Sequence, residues 1–142
     1  MSKIRWRLSA FILAITLLGC VQAGRPVWKF YAENEEGWFV YDIQNLTHPS
    51  RDIVRVWTKS VYLDKGMGPV VKKIGKGYEN PSYTIRFQEI DCKDEKMRLL
   101  SVTYYSQDGE VLKTFKQESL WRSISPGSID EKLYQRVCQP RT

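Results

Sequence analysis

The stretch that decides the fold is residues 82–116, which read SYTIRFQEIDCKDEKMRLLSVTYYSQDGEVLKTFK. Its β-branched and aromatic residues fall into runs separated by polar segments that are typical of turns. The first two runs, residues 82–92 and 97–105, predict a hairpin. The segment 106–109 ends in Asp-Gly, which favours a tight turn, and leads into a third strand over residues 111–116. Because tight turns join antiparallel neighbours, the stretch predicts a meander.

The same composition extends towards the N-terminus and predicts three more strands, over residues 27–32, 38–42 and 53–63. Residues 64–81 hold four glycines and no strand-like run, so we expect a long loop there. The loop carries a basic cluster, Lys65, Lys72, Lys73 and Lys76. This cluster is either a solvated surface or a candidate site for binding a partner.

One helix is predicted, within residues 127–140, which read GSIDEKLYQRVCQP. Ser128 and Glu131 have the spacing of a capping box, which marks a helix start. Apolar side chains then recur at helical spacing on one side, which we expect to lie on the sheet. These residues are Ile129, Leu133, Tyr134, Val137 and Cys138. The predicted fold class is α+β, a six-stranded antiparallel meander with one C-terminal helix packed on one face.

The strands carry bulky residues on both sides. In the strand over residues 82–92, Tyr83, Ile85 and Phe87 point one way, whereas Ile90 and Cys92 point the other. The helix accounts for the cover of one face. The second face requires a cover of its own, either the loop 64–81 or a second copy in a homodimer.

The first residues have the pattern of a secretory signal peptide, because a basic head precedes an apolar run over residues 8–18 that is too short to span a membrane. Two processing sites compete. Residues 17–20, Leu-Leu-Gly-Cys, resemble a lipobox, in which Cys20 is lipidated and the signal peptide is residues 1–19. Residues 21–23, Val-Gln-Ala, resemble an ordinary cleavage site, which would give a signal peptide of residues 1–23.

Removal of the signal peptide leaves a short tether over residues 20–27 and one domain over residues 28–140. The signal peptide takes three of the 22 basic residues, so 19 remain against 16 acidic ones, a net charge of +3. This charge is ordinary for a domain of this size and gives no reason to expect nucleic acid as a partner. We expect contact with the membrane only through a lipid on Cys20.

The chain has three cysteines, Cys20, Cys92 and Cys138. Export places them in an oxidising compartment, where disulfides form. If Cys20 is lipidated or removed, Cys92 and Cys138 remain to pair with each other. The alternative is two unpaired buried thiols.

The sequence offers no recognised catalytic constellation. His48, which precedes a proline in a predicted loop, is the only histidine, and we expect it to be a turn residue. No second histidine is present to complete a Ser-His-Asp triad elsewhere, and a zinc site is not expected. The glycine pairs at residues 66–68 and 75–77 match neither the P-loop nor the dinucleotide-binding pattern. We therefore expect no enzyme activity, no cofactor and no metal.

Several segments together resemble the surface-adhesin protein E family. The most specific are the Asp-Cys after a strand at residues 91–92 and the Pro-Gly-Ser helix that ends in Val-Cys at residues 126–138. The other matching segments are residues 28–31, 38–42, 54–59, 98–101 and 124–125. The resemblance implies a six-stranded antiparallel sheet with a C-terminal helix tied to it by a disulfide, and often a dimer.

The resemblance also implies a small envelope protein, since the founding type is a surface lipoprotein that binds host matrix and serum proteins. Such a resemblance predicts the fold more reliably than it predicts the ligand. Two hypotheses therefore stand. The first is a surface or outer-membrane adhesin that engages extracellular or envelope proteins, and the second is a soluble periplasmic domain with a structural or binding role.

Overall fold

The structure is a computed structural model that describes residues 24–75, 78, 80–116 and 118–138. The predicted signal peptide, the predicted lipidation site Cys20 and Lys76 lie outside these residues. Among the helices of the described part, none is long and apolar enough to cross a membrane.

The described chain forms one antiparallel sheet with two helices. Its elements are, in order, β1 (Trp28–Asn34), β2 (Gly37–Asp42), β3 (Ile53–Tyr62), α1 (Asp64–Ile74), β4 (Pro81–Asp91), β5 (Lys96–Ser106), β6 (Val111–Phe115), β7 (Arg122–Ser123) and α2 (Ile129–Val137). The strands β1 to β6 are neighbours in sequence order, and the two-residue β7 pairs with β5. The predicted six-stranded antiparallel meander is confirmed.

The helix α2 forms for the predicted reasons. The Ser128 hydroxyl accepts a hydrogen bond from the Glu131 amide at 3.1 Å, and the Glu131 carboxylate accepts one from the Gly127 amide at 2.7 Å. Leu133, only 1% exposed, then packs into a cluster with Val56 and Ile90 of the sheet. A cap and an apolar side thus fix both the start of α2 and its orientation.

The predicted disulfide is present between Cys92, in the turn after β4, and Cys138, at the end of α2, with a Cα–Cα distance of 5.4 Å. Both cysteines pack against the core cluster under α2. The bond therefore fastens the last turn of α2 to the end of the central hairpin.

The segment predicted as a loop contains the helix α1. Val70 and Ile74, one turn apart, are buried against Val102 and Tyr104 of β5. Gly66 permits the approach, because a Cβ there would lie 2.2 Å from the carbonyl oxygen of Glu36. The prediction of a loop was wrong. It gave the glycines, which disfavour a helix, more weight than the apolar spacing of Val70 and Ile74, whereas the packing of these two residues on the sheet stabilises the helix.

Both helices lie on the same face of the sheet, which we call the helix-covered face. The side chains of Val54, Val56, Thr58 and Ser60 alternate towards it along β3 and are buried. The apolar cluster under α2 occupies one part of this face and the cluster under α1 another. The segment 64–74 therefore does not cover the second face, which we call the open face.

Candidate functional site: the open face of the sheet

The open face is built by the alternate side chains that point away from both helices. Cross-strand pairing aligns Trp57 with Phe87, and Tyr83 with Tyr105. The face also carries Phe30, Trp38, Lys59, Val61 and Ile85, whose partners in the register place them on the same side. The prediction that Tyr83, Ile85 and Phe87 point together away from the face of Ile90 is confirmed by this register.

Two stacked aromatic pairs form the centre of the open face. The rings of Trp57 and Phe87 have centroids 4.3 Å apart and those of Tyr83 and Tyr105 4.8 Å apart, with interplanar angles of 19° and 9°. The Lys59 ammonium lies 4.1 Å from the centre of the Tyr83 ring. Stacking restricts the rotamers of these rings, so the surface has a defined shape before any partner binds.

The open face remains accessible despite its apolar character. Phe30 is 52% exposed and Trp38 43% exposed, and the stacked rings are half-buried. A shallow hollow of about 330 Å³ lies beside them and is lined by Trp28, Trp57 and Tyr105, among others. Exposed aromatic area of this extent is typical of interaction surfaces.

A row of charges closes one end of the open face. The buried Glu89 carboxylate accepts hydrogen bonds from Arg55 at 2.7 Å and from Arg98 at 2.6 Å. Burial raises the pKa of Glu89, but the two arginines outweigh burial and hold that pKa below its usual value. Arg98 also pairs with Glu118 at 3.1 Å and lies 4.8 Å from the Trp121 ring. This row stiffens the end of the sheet next to the aromatic centre.

The structure separates the predicted basic cluster from the open face. Lys65 pairs with Glu35 at 2.6 Å, with both side chains largely exposed. Lys72 is exposed in the last turn of α1, and Lys73 lines a cleft on the helix-covered face. The described lysines therefore do not form one site, and Lys76 lies outside the described residues.

The disulfide of Cys92 and Cys138 belongs to the helix-covered side. The single proton of the Tyr134 hydroxyl is shared between two acceptors, the Cys92 carbonyl at 3.2 Å and the Glu95 carboxylate at 3.5 Å. Burial and the nearby Glu95 raise the pKa of Tyr134. These contacts hold α2 in place, which gives the disulfide a structural role at a distance from the open face.

Within the part of the chain that the structure describes, no three His, Cys, Asp or Glu side chains form a group that could hold a metal ion. His48 is exposed in the segment between β2 and β3. The open face offers contact area, stacked aromatic rings and the cation of Lys59.

The sequence alone indicated part of this surface. It identified Tyr83, Ile85 and Phe87, but it did not single out Trp57 or Lys59 because the run over residues 53–63 was considered as a whole. Strict alternation along that run, with Trp57, Lys59 and Val61 on one side, was the signal that would have placed them. The stacking of aromatic rings on neighbouring strands could not be predicted, because it depends on the strand register, which the structure supplies.

Comparison with known proteins identifies one family. Residues 28–139, well over half of the chain, match a family model described as surface-adhesin protein E. No curated protein and no solved structure matches the chain.

Proposed function

Since the chain belongs to the surface-adhesin protein E family, we propose that it binds extracellular or envelope proteins through the open face of its sheet, without catalysis. Membership of a surface-adhesin family implies an exported envelope protein. The observation that carries the proposal is the uncovered aromatic face centred on the Trp57–Phe87 and Tyr83–Tyr105 stacks.

The chemistry of this face supports a protein partner. Tryptophan and tyrosine dominate the energetically important contacts of protein interfaces, because each buries a large area at a small cost in side-chain entropy. A broad surface with a shallow hollow fits another folded surface better than it fits a small molecule, which requires a deeper enclosure. Lys59 adds a cation that favours an acidic group on the partner.

The absence of catalysis is part of the proposal. The chain has one histidine, His48, which is exposed in the segment between β2 and β3. A buried acid with a usable pKa would favour an enzyme, but the buried Glu89 is held ionised by two arginines. An ionised and fully paired carboxylate is suited to structure rather than to proton transfer.

A second copy of the chain is a further candidate occupant of the open face. The strands β1 to β6 hold 50 residues. At about 3.4 Å per residue along a strand and about 4.8 Å between strands, the face measures on the order of 800 Å², comparable to the ~800 Å² that each partner buries in a standard interface. A face that pairs with itself about a two-fold axis would enclose the aromatic stacks of both copies. The homodimer therefore joins the proposal as a use of the same surface.

The anchoring of the protein is also proposed. In the first form, Cys20 carries the lipid and the protein is held at the outer membrane or cell surface. In the second, cleavage after Ala23 releases a periplasmic protein. Metabolic labelling with a clickable palmitate distinguishes the two, because only the first form incorporates the label, and sequencing of the mature N-terminus gives Gly24 only in the second.

The proposal is tested with immobilised host matrix and serum proteins and two matched variants. Trp57→Ser removes the centre of the open face, whereas the combined variant Lys65→Gln, Lys72→Gln and Lys73→Gln changes the opposite side. We expect Trp57→Ser to weaken binding at least about tenfold, the effect of losing one central aromatic contact, and the lysine variant to bind as wild type does. The reverse pattern, in variants with unchanged circular dichroism, would refute the assignment to the open face.

Self-association is measured separately by sedimentation velocity over a concentration series. We expect the wild type to sediment as a dimer at high concentration and the Trp57→Ser variant as a monomer. Wild-type protein that stays monomeric throughout would reject the dimer, while the test with matrix and serum proteins would still decide the adhesin.

A further inference from the structure

A second feature lies on the opposite side of the sheet, on the helix-covered face. Between α1 and the segment 118–122, a cleft of about 310 Å³ has polar side chains on its floor, and we call it the basic cleft. It continues outwards into a more open hollow of about 560 Å³ past Phe115 and Glu118. Three cationic side chains line the basic cleft, namely Lys73, Arg86 and Arg122.

The central feature of the basic cleft is Arg86. Its cross-strand neighbours Thr58 and Val102 place it on the helix-covered face. Burial raises the pKa of Tyr31 and of Tyr104, and the charge of Arg86 acts against this rise at both hydroxyls. Arg86 is therefore half-buried and acts on both tyrosine hydroxyls, and the carboxylate of Asp130, the ion-pair partner of Arg122, also acts on Tyr31.

Arg86 differs from the other arginines that line or support the sheet. Arg55 and Arg98 pair with Glu89, and Arg122 pairs with Asp130 at 2.7 Å. Among the described residues, Arg86 forms no ion pair, and no acidic side chain lines the basic cleft. A partly desolvated cation is unfavourable unless an anion accompanies it, so the site is ready for a negative group.

The floor of the basic cleft is rigid. The Gln88 amide donates to the Thr58 hydroxyl at 2.8 Å, and the hydroxyls of Tyr62 and Thr84 hydrogen-bond at 2.9 Å. Gln88, Thr58 and Thr84 are all buried, which is unusual for polar side chains that lie between two apolar clusters. Gln88 lines the basic cleft, and the other hydrogen-bonded side chains lie in the same face of the sheet next to it. Because these hydrogen bonds are made within the sheet, the floor keeps its shape without a ligand to order it.

The apolar side of the basic cleft indicates which chemical group a bound anion would carry. Leu99 and Val102 form an apolar side of the basic cleft, and Leu120 extends over it with 90% of its surface exposed. We propose that the basic cleft binds a carboxylate that carries an apolar group, with the carboxylate on Arg86 and the apolar group on this wall. A planar guanidinium pairs with a carboxylate through two parallel hydrogen bonds.

An anion that carries an apolar group fits the basic cleft better than phosphate does. Arg86 supplies one unpaired cation at the floor, Lys73 adds a second at the mouth, and the charge of Arg122 is shared with Asp130. A phosphate dianion would leave the apolar wall without a partner. The inference concerns the helix-covered face and does not rest on the adhesin proposal.

The test uses three probes, which are phenylacetate, the uncharged phenylacetamide and inorganic phosphate, titrated into the ¹⁵N-labelled protein and followed by amide chemical shifts. We expect saturable shifts with phenylacetate at residues 99–104 and 118–122. Phenylacetamide, which lacks the charge-assisted contact, and phosphate, which lacks the apolar contact, should each bind at least about tenfold more weakly. Phenylacetamide that binds as tightly as phenylacetate would overturn the role of the charge. Phosphate that binds more tightly would overturn the role of the apolar group.

Two variants and a charge-matched control complete the test. Arg86→Gln should weaken phenylacetate about tenfold, and Lys73→Gln should weaken it by a smaller factor. Lys59→Gln removes the same charge from the open face and should leave phenylacetate binding unchanged. A folded Arg86→Gln variant with wild-type affinity overturns the proposal. If Arg86→Gln does not fold, equal affinity of the Lys73→Gln variant and the wild type overturns it instead.

The outcomes of the phenylacetate titration can be distinguished from those of the adhesin test. Protein that binds matrix or serum proteins but shows no saturable shift with phenylacetate refutes the basic cleft alone. Protein that binds phenylacetate but none of those proteins leaves the basic cleft in place and removes the support for adhesion.

Discussion

The disulfide gives the sharpest quantitative prediction for this fold. We consider the double variant Cys92→Ser and Cys138→Ser, which removes the bond without leaving a free thiol. The two cysteines are 46 residues apart, and the segment between them contains β5, β6, β7 and α2. In the chain-entropy account, closing a loop of this length lowers the entropy of the unfolded chain and stabilises the fold by about 4 kcal/mol.

That amount is a large part of the total stability of a domain, which is typically about 5 to 15 kcal/mol. The double variant should nevertheless fold, since Leu133 still packs into the core and the Ser128 cap still contributes about 1 kcal/mol. We therefore expect a cooperative transition at lower denaturant concentration, with α2 docked in the folded state.

The assay is urea unfolding followed by tryptophan fluorescence in non-reducing buffer. Wild type in the presence of a reductant is the matched control and should approach the double variant. In thermal unfolding, the expected decrease of the melting temperature is roughly 12 to 20 °C. A double variant within about 1 kcal/mol of the oxidised wild type would refute the reasoning, because the loop closure would then contribute far less than its length implies.

Two further predictions concern Glu89 and the glycines of α1. The folded pKa of Glu89 lies below its ordinary value of 4.5, so its stabilising contribution is complete above that pH and is lost as the pH falls through the lowered folded pKa. Glu89→Gln should therefore be less stable at neutral pH and show a flatter loss of stability in acid, and a parallel acid profile would contradict this. Gly66→Ala should destabilise the protein by roughly 1 to 3 kcal/mol, because the added Cβ would meet the Glu36 carbonyl. Gly68→Ala has open space around the added Cβ and should stabilise the protein by up to about 1 kcal/mol. Equal urea midpoints for the two variants would contradict the close approach at Gly66.

The sheet was predictable because its information is local. The runs over residues 82–92 and 97–105 differ from the observed β4 and β5 by about one residue at each end. Their alternation also placed Ile90 and Phe87 on opposite faces. Strand composition, turn residues and the alternation of side chains all act over a few neighbours, so the sequence is sufficient.

The helix α1 was not predictable in the same way. Gly66, Gly68 and Pro69 all disfavour a helix, and they outweighed the spacing of Val70 and Ile74. What stabilises α1 is the contact of that apolar pair with Val102 and Tyr104, more than 25 residues later in the chain. Only the folded sheet brings these partners together.

The candidate surfaces show the same division. The sequence indicated that one face lacked a cover, but it left open whether the loop or another copy supplied it. The structure places α1 beside α2, and this decides which rings stay accessible. The basic cleft depends even more on tertiary structure, because Lys73, Arg86 and Arg122 come from a helix and two different strands.

The bond between Cys92 and Cys138 also determines how the molecule transmits mechanical load. If the chain is pulled from its two ends, tension passes directly across the bond and bypasses the 46-residue segment. At about 3.3 to 3.6 Å per residue, roughly 150 Å of chain is thereby withheld from extension. Under pulling, β5, β6 and α2 cannot be drawn out in line, and only the strands before Cys92 can lengthen the molecule. A protein that attaches a cell to a surface in moving fluid would thus yield over a shorter distance before its attachment is lost.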